Sequence, residues 1–134
     1  MEPMEINGGR FYVRPLHDDD RIDDRPALAA VFGAEVDPNF VSDAREAWAT
    51  DTRYTWAVCE QTQVELLAFA ELAVSQAGGT ATLTVRPAGD EQRRLPNDPV
   101  LTPKTVGDAV AEGRATVRRW AENYLNLTVA DATH

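Results

Sequence analysis

The chain has 134 residues, enough for one domain with a true hydrophobic core. Its 43% hydrophobic and 26% charged residues are ordinary globular values and exclude a wholly disordered chain. The net charge of −9 argues against nucleic acid as partner, since phosphate backbones need clustered Lys/Arg and the thirteen basic residues are interleaved with acids.

Residues 11–16 read as a first strand, with Pro15 placing it at an edge or a strand end. His17, Asp18, Asp19, Asp20, Asp23 and Asp24 have the composition of a metal site. Consecutive residues fan their side chains apart, so the segment reads as a solvated, helix-starting acidic cluster and no metal is expected. Asp24 offers an N-cap side chain and Pro26 a first-turn proline, and Leu28, Val31 and Phe32 then follow at helical spacing. Gly33 and Asp37-Pro38-Asn39 end that helix; a second short one covers 42–50, with Ala44, Ala47 and Trp48 on its apolar side.

Residues 54–60, 64–74 and 80–86 read as a three-strand meander, joined through Gln61-Thr62-Gln63 and Ala77-Gly78-Gly79. Cys59, the single cysteine, lies in an apolar run and reads as a small buried hydrophobe; neither His17 nor His134 is in a context that would activate it. In the last strand Ala81, Leu83 and Val85 face one way, while Thr80, Thr82, Thr84 and Arg86 face the other. Residues 87–103 are a long loop with four prolines, predicted to be mobile. The longest helix, 104–125, sets Val106, Ala109, Val110, Gly113, Val117, Trp120, Ala121 and Tyr124 on one face. Thr105 and Asp108 form a capping-box-like start, with Thr102-Pro103 as a competing one. Arg118 and Arg119 meet the negative end of the helix, and Trp48, Trp56 and Trp120 read as core. A short strand at 127–129 closes the order β-α-α-β-β-β-α-β, an α/β (α+β) domain over 1–134 whose last step is a parallel crossover.

At the mouth of the long helix, Lys104, Thr105, Val106, Gly107, Asp108 and Ala109 combine a helix start with a close-approach glycine. Free amides and the helix dipole favour an anion there; a capped helix whose Gly107 merely packs is the alternative.

The element order and several local strings resemble the GNAT superfamily of N-acetyltransferases, especially its ribosomal-protein N-terminal acetyltransferase-like branch. The strings are Tyr12-Val13-Arg14-Pro15-Leu16, Asp20 to Pro26, Trp56 to Glu60, Leu66 to Leu72, Ala81 to Pro87, and Arg119-Trp120-Ala121. The resemblance implies a mostly antiparallel mixed sheet flanked by helices, and acetyl-CoA as cosubstrate. The cofactor would lie where the strand holding Val85 parts from the closing strand. Its pyrophosphate would be held at Lys104 to Ala109, whose spacing matches the family's Arg/Gln, two residues, Gly, one residue, Gly/Ala pattern. Three features depart from the family: the loop before the pattern is longer, Asp108 puts negative charge near the phosphates, and the Gly107-to-Trp120 distance runs about one residue long. The likeness reaches only the family's fifth strand, so its usual last helix and two strands are expected to be missing.

Within that resemblance Glu71, interrupting an apolar strand on the parity of Leu67, Phe69 and Ala73, is the candidate catalytic base; a glutamate on a solvated sheet face is the plain alternative. Glu60 is a weaker candidate, and Thr82 and Thr84 are candidates to line an acceptor groove. Two readings stand: an N-acetyltransferase acting on a small-molecule or peptide amine by direct transfer, or a non-catalytic GNAT-like module working through a protein partner. An unrelated acidic α+β module fits less well, because of the strand before the first helix. An exposed sheet edge leads us to expect a homodimer. Without a basic-then-apolar leader or an apolar run near the ~20 residues of a membrane span, the chain is expected to be cytoplasmic and free of membrane.

Overall fold

The computed structural model describes residues 1–96 and 101–132. One six-stranded sheet runs in chain order through β1 (Ile6–Asn7), β2 (Phe11–Arg14), β3 (Arg53–Glu60), β4 (Ala68–Val74), β5 (Thr80–Pro87) and β6 (Thr128–Asp131). Four pairings are antiparallel; β6 alone lies parallel to its neighbour β5, after the crossover helix α3 (Val106–Tyr124). The mixed, mostly antiparallel architecture agrees with the sequence reading, with the two-residue β1 added at one edge.

The strand period of two divides the core. Val58, Ala70, Leu72, Leu83 and Val85 face Val106, Ala109, Val110, Val117 and Ala121 of α3. Ala57, Cys59 and Phe69 face the other way, against Leu28 of α1 (Arg25–Phe32) and Val41 and Ala44 of α2 (Phe40–Ala49). Trp48 and Trp56 are fully buried, and Trp120 packs beside them, its ring 5.4 Å from that of Trp56. The apolar stripe of α3 seats so closely that a Cβ on Gly113 would stand 2.7 Å from Val58 Cγ2.

Two elements differ from the reading. The third long strand begins at Ala68, because backbone carbonyls just before it serve side chains: Tyr12 Oη donates to Gln63 C=O and Arg14 to Val64 C=O, both at 2.6 Å. Leu66 then packs with α1 and α2, while Leu67 and Ala68 both pack on the α3 side. The parity therefore slips, and Glu71 shares its face with Phe69 and Ala73 but not with Leu67.

Asp24 is the second difference. It stands at the N-cap position of α1 without capping by its side chain, and it is 3% exposed rather than part of a solvated cluster. Its carboxylate accepts two bonds from the buried Arg14 guanidinium, at 2.7 and 2.9 Å, and one from the His17 amide at 2.8 Å. Burial opposes the Arg14 charge, but the bonds to Asp24 hold its pKa above the usual value. This pair ties β2 to the entry of α1. The other acids stay local: Asp19 accepts from the Arg21 and Ile22 amides, and Asp23 pairs with Arg25. Among the described residues, no three His, Cys, Asp or Glu side chains are grouped to hold a metal ion. Among them, too, no helix is long and apolar enough to cross a membrane.

Removing one member of a buried pair strands the other charge. Asp24→Ala should cost about 3–5 kcal/mol in urea unfolding, and Arg14→Met with Asp24→Leu far less; equal losses would contradict the pairing. Burial also pushes the Cys59 thiol up to about 11 and the Tyr54 hydroxyl up to about 12. Both groups hold their protons more tightly folded than unfolded, so their contribution is full below about pH 9 and is lost as pH rises through those values. We expect Tm to be level from neutrality to about pH 9 and then to fall, with Cys59→Ala making the first part of the fall shallower. A Tm that climbs above pH 9 would refute this.

Candidate functional site

The site begins where a ladder ends. Among the described residues β6 pairs with β5 from Thr80 to Leu83, and the last bond there is from Ala132 N–H to Leu83 C=O, 2.9 Å. On the β4 side, Ser75 N–H donates to Thr80 C=O and Ala88 N–H to Leu67 C=O, so even-numbered residues of β5 aim their backbone at β4. Val85 therefore aims its N–H and C=O at the side that β6 does not reach. A cleft of about 490 Å³ opens at that edge. Ala30 and Val31 of α1 form one wall, Val110 and Arg114 of α3 the other, and Val85 to Pro87, Gly89 and Glu91 form the floor and rim.

The adjoining start of α3 carries the expected capping box. Thr105 Oγ1 accepts from the Asp108 amide at 3.3 Å, and Asp108 Oδ2 accepts from the Thr105 amide at 2.8 Å. Of the two readings of Lys104 to Ala109, an open anion site or a capped helix whose Gly107 packs, the second describes the amides of Thr105 to Ala109, which all have partners. The preceding loop folds back: Glu91 C=O accepts from the Gly107 amide at 2.9 Å, and Arg93 C=O from the Val106 amide at 3.0 Å. The Ala109 amide donates to Thr105 C=O, and the Lys104 ammonium lies 3.3 Å from Glu112. Gly107 does serve a close approach, but to the loop, since a Cβ there would stand 3.3 Å from Glu91 O.

That loop was expected to be mobile over 87–103; residues 97–100, including the Asn97-Asp98 turn, lie outside the described residues. Its described part is fastened. Leu95 is buried, its amide donates to Lys104 C=O at 2.9 Å, Arg93 pairs with Glu65 at 2.9 Å, and Arg10 donates to Thr102 C=O at 2.9 Å.

Glu71 stands one strand in from the cleft, across from Thr84 on β5 and Thr55 on β3, on the face covered by α1 and α2. It is half-buried and makes no hydrogen bond or ion pair with the described residues. Beside it on that face the rings of Phe32, Phe40 and Phe69 meet at 5.5–5.9 Å, and the Arg86 guanidinium lies 5.6 Å over Phe32. Glu60 is instead held by Arg10, 2.6 Å away. Thr84 is half-buried and Thr82 exposed on the same face. The register sets Glu71 at mid-strand across from Thr84 and one residue from the level of Val85, outside the residues that line the cleft, with the closed helix start on the opposite face. Sequence reading missed the walls of the cleft: Arg114 looks like any solvated helix residue, and only the packing of α1 against β4 brings Ala30 near β5.

No protein-family model matches the sequence, and no curated protein matches it. Solved structures do. One neighbour, from Vibrio cholerae and described as a ribosomal-protein-serine acetyltransferase, superposes with a TM-score of 0.68 at 16% identity, covering 100% of this chain and 76% of the other. The fold is GNAT-like. A second neighbour, an acetyltransferase from Agrobacterium tumefaciens strain C58, gives a TM-score of 0.55 at 18% identity over 95% of this chain and 70% of the other. At these identities the likeness concerns the GNAT-like fold, and the cleft beside Val85 has to be judged on its own chemistry.

Losing an N-cap hydroxyl usually costs about 1 kcal/mol. Thr105→Ala should lower stability by about that amount, and amide exchange at Asp108 should quicken relative to mid-helix amides. Unchanged exchange at Asp108 would show that the cap does not hold in solution.

Proposed function

We propose that this chain is an acetyl-CoA-dependent N-acetyltransferase acting on an amine acceptor. The edge of β5 at Val85, unpaired among the described residues and opening on a cleft of about 490 Å³, carries this reading. A bound thioester of this kind supplies an activated acetyl group. In the reaction the acceptor nitrogen bonds to the acetyl carbon, the C–S bond breaks, the amine proton leaves to a base, and the thiolate recovers a proton from solvent. Val85 offers a fixed N–H to the donor and a C=O to an amide on its arm, the way an added strand is held. Glu71, half-buried and unpaired, takes the amine proton directly or through one water. Phe32, Phe40 and Phe69 give the acceptor side an apolar wall. The resemblance to acetyltransferases and the GNAT-like fold of the neighbours support the reading.

A second reading, a GNAT-like module without catalysis that works through a protein partner, is favoured by one observation: the first-turn amides of α3 are already bonded to Thr105, Glu91 and Arg93. Both readings leave the outer edge of β6 to be covered, and we propose a homodimer there.

Glu71→Gln should lower kcat for amine acetylation about 10²–10⁴-fold with little change in KM for the donor. Ala30→Trp, on an exposed position of the cleft wall, should raise that KM about tenfold or more with the fold intact. Full activity in Glu71→Gln would remove the glutamate from the mechanism. No transfer to any of a panel of amines and N-terminal peptides would favour the second reading.

A further inference from the structure

The residues present fit one end of coenzyme A and not the other. The arm end has an open strand edge and a cleft within the range of about 300–1,000 Å³ usual for small-molecule sites. The diphosphate end would need free donors at the start of α3, where each has a partner. Val106 and Gly107 donate to Arg93 and Glu91 carbonyls at 3.0 and 2.9 Å, and Asp108 donates to Thr105 Oγ1 at 3.3 Å. A carbonyl oxygen carries the partial negative charge that a phosphate oxygen would bring, so the loop already stands where the anion would sit.

At the helix start itself Asp108 caps the first turn and the Lys104 ammonium is engaged by Glu112, while the cleft carries Glu91, Arg86 and Arg114, the last paired with Asp131 at 3.0 Å. Displacing the loop means more than breaking two hydrogen bonds, because Leu95 is buried in the α3-side core and Arg93 is paired with Glu65. An exposed loop with free ends would yield to a phosphate; this one is held before the contact by Ala88 N–H on Leu67 C=O, 2.9 Å, and after it by Leu95.

We propose that this chain recognises its acyl donor through the pantetheine arm alone and leaves the nucleotide diphosphate outside the protein. The substrate class is an acyl pantetheine thioester, and the nucleotide adds nothing to affinity. The proposal rests on the acetyltransferase reading, which supplies the arm in the cleft.

The test is titration calorimetry of the intact chain with three probes: pantetheine, coenzyme A, and adenosine 3′,5′-diphosphate. Pantetheine and coenzyme A should bind within about threefold of each other, both should weaken about tenfold or more in Ala30→Trp, and the adenosine diphosphate should give no heat. Coenzyme A binding about 100-fold tighter than pantetheine, with steep loss in high salt, would overturn the proposal and leave the acetyltransferase reading standing. Binding of the adenosine diphosphate alone would overturn it too. Absence of heat with both pantetheine and coenzyme A would sink the proposal and that reading together.

Discussion

Every backbone N–H and C=O of a strand has to be satisfied by a neighbour, by a ligand or by water, and β5 has a neighbour on both sides over only half of its length. From Thr80 to Leu83 it lies between β4 and β6; from Thr84 to Pro87 it has, among the described residues, β4 alone. The helices cannot close this gap, because α1 and α3 sit on opposite faces and meet the strand through side chains. The cleft is therefore a consequence of ladder length. Its walls belong to whatever the two helices present at that level, namely Ala30 and Val31 on one side and Val110 and Arg114 on the other.

The same requirement governs the start of α3. A helix leaves its first amides without internal partners, and a long preceding loop can supply them as well as a ligand can. Here Thr105 caps one amide, and the loop turns back so that Glu91 and Arg93 serve two more. The close approach that Gly107 permits is used within the chain.

Much of the fold was legible because hydrophobic period and turn residues act locally. The alternation in residues 80–86 put Ala81, Leu83 and Val85 on one face, the one α3 covers, and Thr105 with Asp108 announced a cap that forms. Other features depended on distant partners. Asp24 has the sequence context of a cap, and only the fold reveals that Arg14 draws it inside. The parity used for Glu71 ran unbroken through Leu67, but the carbonyls of Gln63 and Val64 are taken by side chains of β2 and the pleat slips there. Glu71 kept its face relative to Phe69 because the slip precedes both.

By itself the sequence determined the order of elements from β2 onward, the two faces of the sheet, the buried cysteine and the cap on the long helix, because each follows from period, polarity or a contact a few residues away. Tertiary structure alone decided where the ladder between β5 and β6 stops, which groups satisfy Val106 and Gly107, and which helices wall the cleft. Those outcomes turn on pairings between segments far apart in the chain, and a pattern of residue types carries no information about which carbonyl will arrive at a given amide.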